Sequence, residues 1–129
     1  NGFKSIDGLD LSEEMLKIAE QKKIYQSLFN FDLNNPTNFN HKYDAIIAAG
    51  VISPTHANPD TILSSYSMLK KKGLMIFSIN DHALNDSFFF SSINKIIQNS
   101  NFILLDQIYG DHIKEFNLKS SIFVLQKSN

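Results

Sequence analysis

A chain of 129 residues without cysteine has room for one domain with a sizeable core, and it excludes a disulfide framework, a thiolate nucleophile and a cysteine-based zinc site. Apolar residues make up 43% and charged residues 19%, and the formal net charge is −1, so there is no electrostatic footprint for nucleic acid or an anionic membrane. No apolar run approaches the roughly 18 residues of a membrane span, and the chain does not open with a basic then apolar segment, so a cytoplasmic setting is expected.

Phe3 to Asp10 reads as a short strand. Ser12 is placed to cap a helix running to about Lys22, with Glu13 and Glu14 in the first turn where the helix dipole favours negative charge. Met15, Leu16, Ala19 and Lys23 share a narrow stripe of that helix. Ser27 to Leu33 reads as a second strand ended by Asn34-Asn35-Pro36. Tyr43 to Ala49 reads as a third, its continuous apolar run suiting burial on both faces.

Asn58-Pro59-Asp60 marks a helix start, with Asn at the cap and Pro at the first helical position. Ile62, Leu63, Tyr66 and Leu69 recur at helical spacing. Lys70 to Lys72 suits the C-terminal end of the dipole, and Gly73 is placed to end the helix. Leu74 to Ile79 is an apolar strand. A helix over Ser87 to Asn99 carries Phe89, Ile93, Ile96 and Ile97, and Phe102 to Tyr109 and Ser121 to Lys127 are two last strands. Strands alternating with helices predict an α/β, Rossmann-like fold with a mostly parallel sheet. The final two strands, with no helix between them, predict an antiparallel hairpin around a loop from Gly110 to Ser120.

At the first strand the residues become recognisable. Gly8-Leu9-Asp10-Leu11-Ser12-Glu13-Glu14-Met15-Leu16 resembles the G-x-D-x-S-x-x-M-L segment of class I S-adenosylmethionine-dependent methyltransferases. Tyr25 and Asp32-Leu33 resemble that family's third-strand region, and Tyr43-Asp44-Ala45-Ile46-Ile47 its fourth-strand signature. Leu69-Lys70-Lys71-Lys72-Gly73-Leu74 resembles the turn before strand five, with Lys72-Gly73-Leu74 in place of Pro-Gly-Gly. There Gly73 is expected to supply the positive φ. Within the family the pattern is most similar to the methyltransferase-like 27 (Williams–Beuren region) group.

The family's first strand and glycine-rich loop have no counterpart here, since the chain holds no G-x-G; Asn1-Gly2 resembles the turn after the helix that would follow them. The resemblance therefore implies a single, incomplete, N-terminally truncated methyltransferase domain over residues 1–129. The absent strand belongs between the Asp10 and Tyr43 strands, and the 129 residues alone are expected to fold poorly or bind cofactor weakly.

The resemblance also implies a cofactor, S-adenosyl-L-methionine, and a set of contacts. Asp10, closing its strand beside the crevice where such sheets bind ligands, would accept from both ribose hydroxyls; the plain alternative is a solvated turn residue. Leu11 and Met15 would pack on adenine or else on the core. Asp32 with the Leu33 N–H would read the adenine edge, or Asp32 would serve an Asx turn. Ala48, Ala49 and Gly50 are small enough for close approach by a ligand. His56, in the Ser53–Asn58 loop, is the candidate catalytic base, against a merely solvated histidine. His82 has a similar position past the Leu74 strand. Tyr109 and His112 lack a motif, and His41 reads as a loop residue.

The reaction implied is in-line methyl transfer from a sulfonium to a small-molecule acceptor, with no catalytic triad and no metal. Neither nucleic acid nor membrane is expected as partner. Two rival readings stay open: a noncatalytic binding or scaffold protein that keeps the fold, and an NAD-dependent oxidoreductase, since an acid ending the second strand also serves NAD.

Overall fold

Near the start of the chain Gly8 lies close under two side chains: a Cβ there would fall 2.7 Å from Leu28 Cδ2 and 3.2 Å from Tyr25 Cδ1, so the leucine would have to shift to admit one. The computed structural model describes residues 2–35, 39 and 41–128, without the side chain of His112, in two units, residues 1–37 and 38–129. In the first unit β1 (Asp7–Asp10) pairs in parallel with β2 (Ser27–Asn30), from Asp7↔Ser27 to Asp10↔Asn30. Between them runs α1 (Glu13–Gln21), whose N-cap Ser12 accepts from the Met15 N–H at 3.3 Å. Of the stripe expected on α1, Met15, Leu16 and Ala19 lie on the helix, whereas Lys23 falls past its end with φ 51°; none of the four is buried.

Both strands are shorter than the sequence suggests. Residues 2–6 are exposed and lie outside the ladder apart from the Ile6 carbonyl, which accepts from Gln26 N at 2.7 Å. At the other end Asp32 Oδ1 accepts from Asn34 N at 2.9 Å and turns the chain out of β2. Pro36, expected to end that strand, lies outside the described residues.

The second unit holds β3 (Tyr43–Ala48), α2 (Thr61–Met68), β4 (Leu69–Asn80), α3 (Asp81–Asn85), α4 (Ser87–Asn99), β5 (Phe102–Ile113), a 3-10 turn (Lys114–Phe116) and β6 (Leu118–Lys127). The sheet order is β3-β4-β6-β5. β3 runs parallel to β4, while β6 is antiparallel to both β4 and β5, as the hairpin expectation requires. The core lies along β4 and β6. Phe77 and Phe123 face each other across that pair, their rings stacked at 5.0 Å, and Ile62 of α2 and Ile93 of α4 are fully buried in the same cluster. Burying each such side chain stabilises the fold by about 1.5–3 kcal/mol. Of the Phe88–Phe90 run, Phe89 is core and Phe88 is 85% exposed.

Around α2 the expectations need correcting. The helix begins at Thr61, with Asp60 at its N-cap making no side-chain cap bond; Asn58 and Pro59 form a leading turn, their carbonyls accepting from Thr61 N and Ile62 N. The helix stops at Met68, because Leu69 is extended (ψ 143°) and already pairs with Tyr43. Lys70 to Lys72 are therefore not a helix end. They bulge out of β4, which resumes pairing at Ala45↔Leu74, and Lys70 forms an ion pair with Asp44 at 2.9 Å.

The positive φ expected at Gly73 falls on Lys72 (φ 60°). Gly73 is needed for space: a Cβ there would lie 2.9 Å from the Lys70 carbonyl oxygen and 3.2 Å from that of Asp44. Two cations reach the end of α2: Lys42, which donates to the Ser67 carbonyl, and Lys127 of β6. The Lys127 ammonium donates to the Tyr66 and Leu69 carbonyls at 2.8 and 3.0 Å and sits 4.3 Å from the Tyr66 ring centroid.

The expected Gly110–Ser120 loop is mostly ladder. Pairs Gly110↔Ser120, Asp111↔Lys119 and Ile113↔Leu118 extend the hairpin, and Asn117 in the left-handed region (φ 49°) closes its turn.

Candidate functional site

In the first unit the candidate residues gather at the C-terminal ends of β1 and β2. Asp10 ends β1 and is exposed; its Oδ1 accepts from Ser12 N at 2.9 Å, so this carboxylate shapes the turn into α1. Leu11 and Met15 follow on that turn, 61% and 50% exposed. Neither takes part in core packing, the plain alternative considered for them. Asp32 and Leu33 stand half-buried just past β2, and the Asx turn expected of Asp32 is present.

A residue not foreseen joins the two strand ends. Asn30 Nδ2 donates to the Leu11 carbonyl at 3.0 Å, while Phe31 N donates to the Asp10 carbonyl at 3.0 Å. An amide closing a strand opposite Asp10 was the signal available for it. The arrangement offers a carboxylate and two apolar surfaces within six residues, a combination suited to a polar ring bearing hydroxyls joined to a flat aromatic system.

In the second unit β3 ends at Ala48, and Gly50 turns the chain with φ 68°. A Cβ built on Gly50 would meet no atom within 4 Å, so the glycine answers a backbone conformation and leaves open room beside its Cα. Its N–H donates to Ser78 Oγ at 2.9 Å. Ser78 is the one hydroxyl in the apolar Leu74–Ile79 run, a signal that the sequence did carry.

The following loop is tied to itself. Ser53 N donates to the Ala57 carbonyl, Ala57 N to that of Val51 and His56 N to that of Ser53 (3.1–3.2 Å), with Ile52 and Ala57 buried as anchors. The His56 ring is exposed, its Nδ1 2.9 Å from Thr55 Oγ1, which lies 3.3 Å from Ser53 Oγ.

These elements line a cleft of about 350 Å³ that holds Gly50, His56, Ser78, Asn80 and His82. His82 arrives on α3, a short helix absent from the sequence reading. Asn80 caps α3, its Oδ1 accepting from Ala83 N at 3.0 Å. Ala49 is exposed but does not line the cleft. His41 stacks among Phe39 and Tyr43, away from any candidate chemistry.

Tyr109 serves structure: its hydroxyl donates to Asp81 Oδ1 at 2.9 Å, and Lys119 N donates to Asp81 Oδ2 at 3.3 Å, tying α3 to the terminal hairpin. The hydrogen bond to the Asp81 carboxylate, with partial desolvation and the carboxylate's charge, pushes the Tyr109 phenol above its ordinary value. Among the described residues no three His, Asp or Glu side chains gather as a metal site. No helix among them is long and apolar enough to cross a membrane.

Comparison with known proteins gives these strands and turns a context. Residues 1–77 match the family model described as a methyltransferase domain. No curated protein matches the chain. Among solved structures, an S-adenosylmethionine-dependent methyltransferase from Clostridium acetobutylicum superposes with a TM-score of 0.74 at 17% identity, over 98% of this chain and 76% of its own. The structure described as StiE O-MT gives 0.73 at 15% identity, over 100% of this chain and 61% of its own. The N-methyltransferase NodS from Bradyrhizobium japonicum, solved with S-adenosyl-L-homocysteine, gives 0.69 at 12% identity, over 97% and 67%. The chain thus spans about three fifths of the StiE structure. The fold is that of the S-adenosylmethionine-dependent methyltransferases.

Proposed function

We propose, on the premise that this chain belongs to the methyltransferase-domain family, that it carries part of the site in which S-adenosyl-L-methionine gives its methyl group to a small-molecule acceptor in the cytoplasm. The observation that carries the proposal is the turn from β1 into α1. There an exposed carboxylate at a strand end stands within six residues of two apolar side chains left out of any core. Asp10 accepts from the ribose hydroxyls, Leu11 and Met15 cover the adenine, and Asp32 with the Leu33 N–H meets its edge.

Within the family, the run from Gly8 to Leu16 supports kinship with the methyltransferase-like 27 group. The family's glycine-rich loop is not among these 129 residues. The share of cofactor binding proposed for the first unit is the ribose and the adenine.

The bound cofactor supplies a methyl group on a sulfonium, already a good leaving group, so the protein's part is alignment and exclusion of water. Gly50 is held by Ser78, and His56 stands on the tied loop as the group able to take a proton from the acceptor.

The test is calorimetric titration of the full chain with S-adenosyl-L-homocysteine. Loss of a hydrogen-bonding carboxylate costs about 1.5–3 kcal/mol, so Asp10→Ala weakens binding about ten- to a hundredfold. A protein that ignores this ligand, or an Asp10→Ala variant that binds it equally well, refutes the proposal.

A further inference from the structure

Resting on the methyl-transfer reading above, we infer that the cleft beside Gly50 takes an acceptor that presents a hydroxyl, and rejects a protonated amine. The observation is the composition of the wall. The polar groups that line the cleft are the hydroxyls of Ser53, Thr55 and Ser78, the amide of Asn80 and the imidazoles of His56 and His82; none of the ten lining residues is Asp, Glu, Lys or Arg. Asp81, the carboxylate adjacent in sequence to His82, has its two oxygens engaged by Tyr109 and Lys119. An ammonium leaving water for this cleft meets no carboxylate to replace its hydration. A hydroxyl both donates and accepts, and hydroxyl, amide and imidazole partners satisfy it in either role.

The wall also fits the reaction. A neutral hydroxyl is a poor nucleophile until its proton leaves, and an imidazole is the side chain suited to take a proton near neutrality. Two imidazoles reach this cleft from separate elements, His56 on the tied loop and His82 on α3. The acceptor O–H proton passes to an imidazole, and the oxygen lone pair forms the bond to the methyl carbon. The carbon–sulfur bond of the donor breaks, its electron pair remaining on sulfur. Thr55, 2.9 Å from His56 Nδ1 and itself 3.3 Å from Ser53 Oγ, is a positioning residue that orients that ring.

The experiment compares phenol with benzylamine, each titrated into the full chain while the backbone amide signals of Ser78, Asn80 and His82 are followed by NMR. Phenol moves these signals with an apparent affinity about tenfold above that of benzylamine. Thr55→Asp, a change at an exposed position, places a carboxylate at the cleft and reverses the preference. Benzylamine binding as well as phenol in the unaltered protein, neither probe moving these signals, or no reversal in Thr55→Asp overturns the inference. A separate titration with S-adenosyl-L-homocysteine keeps the two readings apart. Binding of that ligand without a preference for phenol sinks only the hydroxyl inference, and failure to bind it sinks the methyl-transfer reading.

Discussion

The two units differ sharply in how much buried core they hold. In residues 38–129 fifteen apolar side chains are buried, arranged along β4 and β6, whereas no described residue of the first unit reaches that state. The first unit has a two-stranded parallel sheet and one helix, an amount of structure that is marginal by itself. It nevertheless carries Asp10, Leu11, Met15, Asp32 and Leu33. In native-state hydrogen exchange the β1 and β2 amides are expected to exchange fastest and those of β4 and β6 slowest.

Mutations break or sharpen this contrast. The largest effect belongs to Phe77→Ala, which opens a cavity against Phe123 and lowers stability by about 3–5 kcal/mol. The same kind of truncation at Leu11 costs less than about 0.5 kcal/mol. Urea denaturation measures both, and similar losses would erase the distinction between the units. Gly73→Ala comes next at about 1–3 kcal/mol, because the atoms its Cβ meets include backbone oxygens of Lys70 and Asp44, which move only with their strands. Lys127→Met keeps the alkyl stem but leaves the Tyr66 and Leu69 carbonyls without their cation, for about 1–2 kcal/mol in the same assay.

The smallest effect is a pH dependence. Tyr109 has a folded-state pKa raised above its unfolded value of 10.0, so its contribution is fully present below pH 10 and fades as pH climbs through the higher folded value. Tyr109→Phe should flatten that alkaline decline, read as the difference in denaturation midpoint between neutral and strongly alkaline buffer.

How much was legible depended on whether local chemistry and long-range pairing agreed. The span of α4 was readable to the residue, because Asp86 caps it, Phe89 and Ile93 mark its buried face and nothing competes for its backbone. Around Lys70–Lys72 they disagreed. Three lysines before a glycine carry the signature of a helix end, but pairing of Leu69 with Tyr43 draws the backbone into a strand at Leu69, ahead of the expected start at Leu74. The polar run from Asp111 to Lys119 looked like a loop, yet opposite charges at Asp111 and Lys119 stand across a ladder that continues.

Asp10, Leu11 and Met15 drew attention through their shared motif, and the structure keeps them together because one turn carries all three. The clustering of His56 with Ser78 and His82 was not legible, because three separate elements bring them to one cleft.

The position of β6 bears on how the protein is made. Residues 118–127 leave the ribosome after β4 and β5, yet they fill the place between those two strands, hydrogen-bonded on one side to β4 and on the other to β5. Until they emerge, two long apolar strands wait with open edges, a hazard for aggregation and a drag on folding rate. Synthesis pausing before Leu118 would leave Phe77 without its ring partner, and chaperone capture is expected to peak at that length.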